Sequence, residues 1–482
     1  MKKTLFCLTL LAGCAAWNKP INQPLQGENP ALVEVTSESI GAGELYVGLA
    51  FSGGGMRASA FAYGMLEELR STATLTGTPN GILDNVRLVS GVSGGSVTAA
   101  QFGLYGPAGM TGYRENYLIT NAEKYMANSV LNPLTLVKGL AGGANGRNTF
   151  ARYLDETLYK HATFGDLRAR SHIKTWINAT DMANNTPFLF SPETFDALCS
   201  DLSKMPISEA VAASAAFPLV FTPVVLEAHQ GDCDYKEPDW LTAARNNPEA
   251  TAAMKAQARA LESYGKPDEV KFVKLLDGGI TDNFGTTGLA VERARAQAPY
   301  APMTPEEAVR MKRMLFLIAN AGVEADYGWT QKIAGPSGVG LGMSIATASM
   351  SAATRSGYDA MRGELRQWES ELVEWRCALP ASAVKRLRGS TAGWDCADLK
   401  LFVGQASFEA VSPAMRAKLN KVPTRLKLKT DEVDLVIEAG RLAIRSTPEF
   451  NGFLASLDGN DVEARIQKGI AAGGRRIAPV GN

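Results

Sequence analysis

Apolar residues along this chain gather into short runs that end at glycines, with helical periodicities between them. Tyr46-Val47-Gly48-Leu49-Ala50-Phe51 is the first such run, most simply a buried parallel strand, and it empties into Ser52-Gly53-Gly54-Gly55-Met56-Arg57. Phe61, Met65, Leu66 and Leu69 then fall on one helical face. Arg87-Leu88-Val89 has strand character and runs into Gly91-Val92-Ser93-Gly94-Gly95, after which small residues from Ser96 suit a helix packed closely on a sheet. Residues 173–181 (IKTWINATD), 187–190, 271–276 (KFVKLL) and 314–319 (MLFLIA) read as further strands, and 207–216 as a helix that stops before Pro218.

Between these pieces the pattern weakens. Residues 106–148 are irregular and glycine-rich, and 235–270 are polar and helix-prone, as a surface insertion would be. Further on, Tyr358, Met361, Leu365, Trp368, Leu372 and Trp375 recur at spacings of three and four, which predicts one face of a long helix. That face could pack on the core or meet a membrane; the acidic opposite face (Glu364, Glu369, Glu371, Glu374) is the wrong sign for anionic lipid and favours packing. Shorter helices are expected beyond it, and a loose end over 471–482.

The composition is that of an ordinary globular chain, with 45% hydrophobic and 20% charged residues in 482. Lys+Arg and Asp+Glu are 49 each, so bulk charge recruits no nucleic acid. His161, His172 and His229 are the only histidines, which argues against a histidine-built metal centre, and no metal or other cofactor is expected.

The chain starts with Met1-Lys2-Lys3 and a short apolar stretch, Thr4 to Leu10, too short to cross a bilayer and better read as a signal peptide. Leu11-Ala12-Gly13-Cys14 resembles a bacterial lipobox, which implies cleavage before Cys14, acylation of Cys14 and, with Ala15 next, an outer-membrane address. Residues 14–45, rich in proline and without periodicity, are expected to be a lipidated tether. Outside the cytoplasm Cys199, Cys233, Cys377 and Cys396 could form disulfides; of the three pairings, Cys199–Cys233 and Cys377–Cys396 are favoured as near in sequence, with free buried thiols the alternative.

Candidate chemistry lies at the glycine-bounded ends of the runs. Gly91-Val92-Ser93-Gly94-Gly95 fits the G-x-S-x-G pattern of a nucleophile elbow, where a serine is exposed on a sharp strand-to-helix turn; a glycine-rich turn without chemistry has the same pattern. The loop at Gly53, Gly54 and Gly55 can aim backbone N–H groups at an anion, whether a phosphate or an oxyanion. It lacks the Gly-Lys-Ser/Thr ending of a Walker-type loop, and Ala58 replaces the third glycine of a dinucleotide fingerprint. Asp277-Gly278-Gly279 puts an acid at a strand end, as a catalytic group or a turn cap. No histidine follows Asp277, so the late histidine of an α/β-hydrolase triad is missing, and a carboxylate would have to take the serine proton itself.

Together SGGGMR, GVSGG and DGG resemble, in order and spacing, the patatin-like phospholipases, with lesser matches at 163–167 (TFGDL), 178–181 (NATD) and 213–218 (ASAAFP). The resemblance covers 46–322 and implies there a three-layer α/β/α fold with a mainly parallel sheet; residues 323–482 lie outside it and read as a mostly helical extension. It also implies a Ser–Asp dyad acting on phospholipid or other acyl-lipid esters. By position Ser93 is the nucleophile and Asp277 its partner, Gly53, Gly54, Gly55 and the N–H groups of Met56 and Arg57 form the oxyanion loop, and Gly91, Gly95, Gly278 and Gly279 support the turns. Ala58 departs from the glycine common in the family. An acyltransferase or a catalytically silent lipid- or partner-binding lipoprotein would carry the same pattern.

Overall fold

The computed structural model of the chain describes residues 18–26, 43–126, 145–325, 327–331, 333–336 and 339–457. The stretch expected to be a signal peptide, Cys14 with its expected lipidation, and the chain end after 457 lie outside the described residues.

The apolar runs form one eight-stranded sheet. Strands β1 (Leu45–Phe51), β2 (Val86–Val92), β3 (Lys174–Asp181), β4 (Thr186–Leu189), β5 (Val224–Glu227), β6 (Phe272–Asp277), β7 (Arg313–Asn320) and β8 (Lys400–Ser407) lie in the order β5-β6-β3-β2-β1-β7-β8, with β4 paired to β3. The five strands β3-β2-β1-β7-β8 are mutually parallel, and β4, β5 and β6 pair antiparallel. Central strands buried on both faces need no polar alternation, which is why LYVGLAF and RMLFLIAN read as continuous apolar runs.

Two of these strands escaped the sequence reading. β5 is a four-residue stretch, too short to show a period, and β8 (KLFVGQAS) sits in a region otherwise made of helices. The C-terminal region is mostly helical as expected, yet β8 pairs with β7 along its whole length, so this region completes the sheet.

Helices cover both faces. α1 (Gly55–Arg70) buries Phe61, Met65, Leu66 and Leu69, the face that the periodicity predicts. α2 (Gly94–Tyr105) is buried nearly all round, and α3 (Ile207–Ser214) covers the same face. α4 (Val339–Ala378) carries the predicted stripe: Met361, Leu365, Trp368 and Leu372 are buried in a second core with Phe316, Leu289 and Val403. Each such side chain contributes roughly 1.5–3 kcal/mol, so the packing reading of this stripe holds. α5 (Thr430–Arg445) lies so close on α1 that a Cβ on Gly64 would come within 2.1 Å of the Ile437 carbonyl oxygen. No helix among the described residues is long and apolar enough to cross a membrane.

The stretch read as a tether behaves otherwise over 18–26. Asn22 accepts from the Glu227 N–H and donates to the Glu227 carbonyl, capping the edge strand β5, and Leu25 is buried. A free edge offers unpaired backbone groups, and Asn22 satisfies a pair of them.

Both favoured disulfides form, Cys199–Cys233 and Cys377–Cys396. They span 34 and 19 residues, which on loop entropy is worth about 3–4 kcal/mol each. Replacing Cys377 and Cys396 together by serine is therefore expected to lower the unfolding free energy by about 3 kcal/mol in urea titration. An unchanged midpoint would show that the bridge adds nothing.

Candidate active site

The three glycine-bounded ends converge. Ser93 occupies the turn between β2 and α2 with φ 52° and ψ −125°, a conformation that costs a non-glycine residue of order 1–3 kcal/mol and persists only where the surroundings enforce it. Those surroundings are hydrogen bonds. The Ser93 N–H donates to Ser214 Oγ (2.8 Å), whose hydroxyl donates to the Asn178 carbonyl (2.6 Å). The Ser93 carbonyl accepts from the Ser96 N–H (3.0 Å) and hydroxyl (2.5 Å). Asn178 also donates to Ser90 Oγ and the Gly91 carbonyl, tying β3 to the last residues of β2. Ser214 and Asn178 lie in two of the lesser sequence matches, and their role is to hold the elbow.

Backbone reaches backbone here. A Cβ on Gly94 would lie 1.9 Å from the Gly55 carbonyl oxygen, and one on Gly95 would lie 2.5 Å from the carbonyl oxygens of Phe51 and Ser52. Gly91 and Gly278 are as tightly placed, against Ser96 and the Asn178 carbonyl. The N-termini of α1 and α2 thereby meet at one point, and both dipoles favour negative charge there.

Within the glycine loop the donors divide. Gly53 donates to Asn283 Oδ1 (3.1 Å) and Met56 to the Arg425 carbonyl (2.7 Å). The N–H groups of Gly54 and Gly55, at φ 140° and 61°, have no acceptor among the described residues. This narrows the expected oxyanion loop, because the Met56 N–H is spent on holding the C-terminal region. Arg57 is buried, and its guanidinium donates to the carbonyls of Ala321 and Val422, with burial lowering its pKa to about 10. It is a structural tie, with its Nη2 3.5 Å from where a Cβ on Gly54 would stand. Ala58 sits inside the first turn of α1, with Gly54 tolerating its methyl.

Asp277 ends β6, its N–H on the Ala216 carbonyl and its own carbonyl accepting from Thr180 Oγ1 (2.8 Å). Its carboxylate accepts from the Ser93 hydroxyl and from the Gly279 N–H, the latter at 2.9 Å. Burial raises its pKa to about 6, the two hydrogen bonds pulling the other way. The histidines are elsewhere: His161 is exposed beside Asp155, His229 lies beside Asp232, and burial lowers the pKa of His172. No cluster of His, Cys, Asp and Glu fit to hold a metal occurs among the described residues. Asn283, Met350 and Thr354, which also meet at this site, were not foreseen; Asn283 follows the DGG motif closely, whereas Met350 and Thr354 come from the distant α4 with no local signal.

A carboxylate whose folded pKa lies above its unfolded value of about 3.8 binds protons more tightly when folded. Its cost to stability is absent near pH 4, grows up to about pH 6 and is constant above. Asp277→Asn is therefore expected to be more stable than the parent at pH 8, by up to about 3 kcal/mol, and equal to it near pH 4. Thermal unfolding at the two pH values measures this, and a variant less stable at pH 8 refutes it.

The family model for patatin-like phospholipase matches residues 49–290, which include the glycine loop, Ser93 and Asp277. Human GIVD cytosolic phospholipase A2 is similar in structure at 12% identity and a TM-score of 0.37, over 86% of this chain and 62% of that one. The same human enzyme with methyl gamma-linolenyl fluorophosphonate and terbium chloride gives 16%, 0.37, 86% and 59%. VipD from Legionella pneumophila gives 12% and 0.28, over 91% of this chain and 73% of that one. The chain thus spans about three fifths of the human enzyme's length. No curated protein matches it. A match over half the chain, on the segment that builds the site, places this protein in the patatin-like phospholipase family.

Proposed function

We propose that this protein is a lipid acyl hydrolase of the phospholipase A or lysophospholipase type, working through a Ser93–Asp277 dyad and an acyl-serine intermediate. The observation that carries the reading is the buried Asp277 carboxylate hydrogen-bonded to the hydroxyl of a serine on a strained elbow, with two unengaged N–H groups beside it.

The chemistry follows from that geometry. Asp277 takes the proton of Ser93 as Oγ attacks the ester carbonyl carbon. A carboxylate with a pKa near 6 is a better base than an exposed one, and at neutral pH it is still mostly ionised. Negative charge forms on the carbonyl oxygen, where the Gly54 and Gly55 N–H groups and the two helix N-termini stabilise it, at about 3–4 kcal/mol for a well-placed donor. The intermediate collapses to acyl-Ser93, and protonated Asp277 returns its proton to the departing alcohol. Water, losing a proton to Asp277, then attacks the acyl-serine, and the fatty acid leaves as Ser93 regains its proton. Each step uses only side chains and backbone of this chain.

The lipobox-like tetrad supports a second part of the proposal: Cys14 carries the lipid that holds the enzyme on the cell envelope, in the outer membrane.

Two outcomes are expected. Ser93→Ala abolishes fatty-acid release from a mixed panel of phospholipids and lysophospholipids and also abolishes labelling by a fluorophosphonate; activity equal to the parent's removes the assignment. In the parent, kcat/KM falls tenfold per pH unit below about pH 6 as Asp277 is protonated, and is level above. A profile flat down to pH 4.5 would mean that Asp277 is not the base.

A further inference from the structure

Ser93 is 7% exposed and Asp277 1%, and α4 lies beside their turns. The Met350 methyl sits so close that a Cβ on Gly279 would come within 2.5 Å of it and one on Gly53 within 3.6 Å. Ser349 Oγ donates to the Ile280 carbonyl (2.8 Å), and Asn283, which holds the Gly53 N–H, donates to Thr354 Oγ1 (2.9 Å). The cavity lined by Leu88, Trp176, Leu289 and Phe316 does not include either member of the dyad. The first half of α4 therefore stands against the Gly53 and Gly279 turns that flank Ser93 and Asp277.

The outer side of that same stretch differs from the rest of the surface. Of the nine large hydrophobic side chains exposed among the described residues, seven fall between Val323 and Ile345, so they form a local feature and are not scattered. Tyr327 is 70% exposed and Ile345 63%, with Trp329, Ile333, Leu341 and Met343 exposed beside them in sequence. From Tyr327 to Thr354 the chain carries one charged residue, Lys332. A surface so poor in charge has little repulsion to overcome on entering an apolar phase and gains little from anionic headgroups. Trp and Tyr, apolar with one polar tip, suit the boundary between headgroups and acyl chains.

We propose that Tyr327, Trp329, Ile333, Leu341, Met343 and Ile345 form the surface on which the protein docks to an uncharged or zwitterionic lipid layer, so that the segment leading into the helix packed against the site is the one that meets the substrate's own phase. This rests on the reading of the protein as a lipid acyl hydrolase. Its occupant is lipid because the stretch continues into the helix packed against a site whose substrate is lipid. It differs from the Tyr358–Trp375 stripe of the same helix, which is turned into the core or lies half-buried against it.

The test uses the full chain with Cys14→Ser, so that no acyl anchor can bind in its place, and vesicles of phosphatidylcholine. The parent is expected to co-float with the vesicles. Trp329→Glu and Ile345→Glu each lower the floated fraction at least tenfold, Ile345→Leu restores it, and hydrolysis of a soluble short-chain ester stays within twofold throughout. Glutamate variants that float as well as the parent overturn the proposal. So does a concentration-dependent dimer in sedimentation that these variants abolish while flotation is unchanged, which would give the stretch to a second copy. If no protein hydrolyses any ester but the flotation difference persists, docking stands and the hydrolase reading falls.

Discussion

Burying the Asp277 carboxylate obliges the surrounding chain to supply its hydrogen bonds, because an ion removed from water is otherwise too costly to keep. The structure answers with two donors, the Ser93 hydroxyl and the Gly279 N–H. Both come from turns, and each turn must be held by something else. Ser93 is held through Ser214 and Asn178, and the strand ending in Asp277 through Thr180 and Ala216. Ser93 and Asp277 thus stand at one end of a buried polar network reaching β2, β3, β6 and α3. Such networks specify one arrangement because each unmet group in a dry interior carries a full penalty.

The second constraint is steric. Placing the N-termini of α1 and α2 together requires backbone contacts that leave no room for a β-carbon at Gly94, and the loop takes positive φ at Gly54 and Gly55. Beside these contacts the Gly54 and Gly55 N–H groups have no acceptor among the described residues. Donors left open in this way are what the proposed reaction requires for stabilising charge that appears only in its course.

The C-terminal region is bound into this arrangement. Met56 and Arg57, adjoining the glycine loop, are satisfied by carbonyls of Arg425 and Val422, β8 completes the sheet, and α5 packs on α1 with its backbone in contact. α4 serves two ends: its C-terminal half fills the second core around Trp368, while its N-terminal half packs against Gly53, Gly279 and Asn283 and exposes apolar side chains. One helix therefore joins the second core to the turns that hold Ser93 and Asp277.

The sequence by itself determined six of the eight strands, the buried faces of α1 and α4, and the placement of Ser93 and Asp277 at strand ends, and it favoured the pairing of the four cysteines that the structure has. All of these are written in local periodicity, in glycines at fixed offsets, or in short separations along the chain. Only the tertiary structure decided which N–H groups of the glycine loop are free, since Met56 and Gly53 are claimed by Arg425 and Asn283, which lie far off in sequence. It decided that residues 18–26 cap β5, that β8 joins the sheet, and that Met350 lies against Gly53 and Gly279. In each case the deciding contact joins segments far apart in the chain, and a pattern read along the chain carries no trace of which distant partner will fill a bond or a gap.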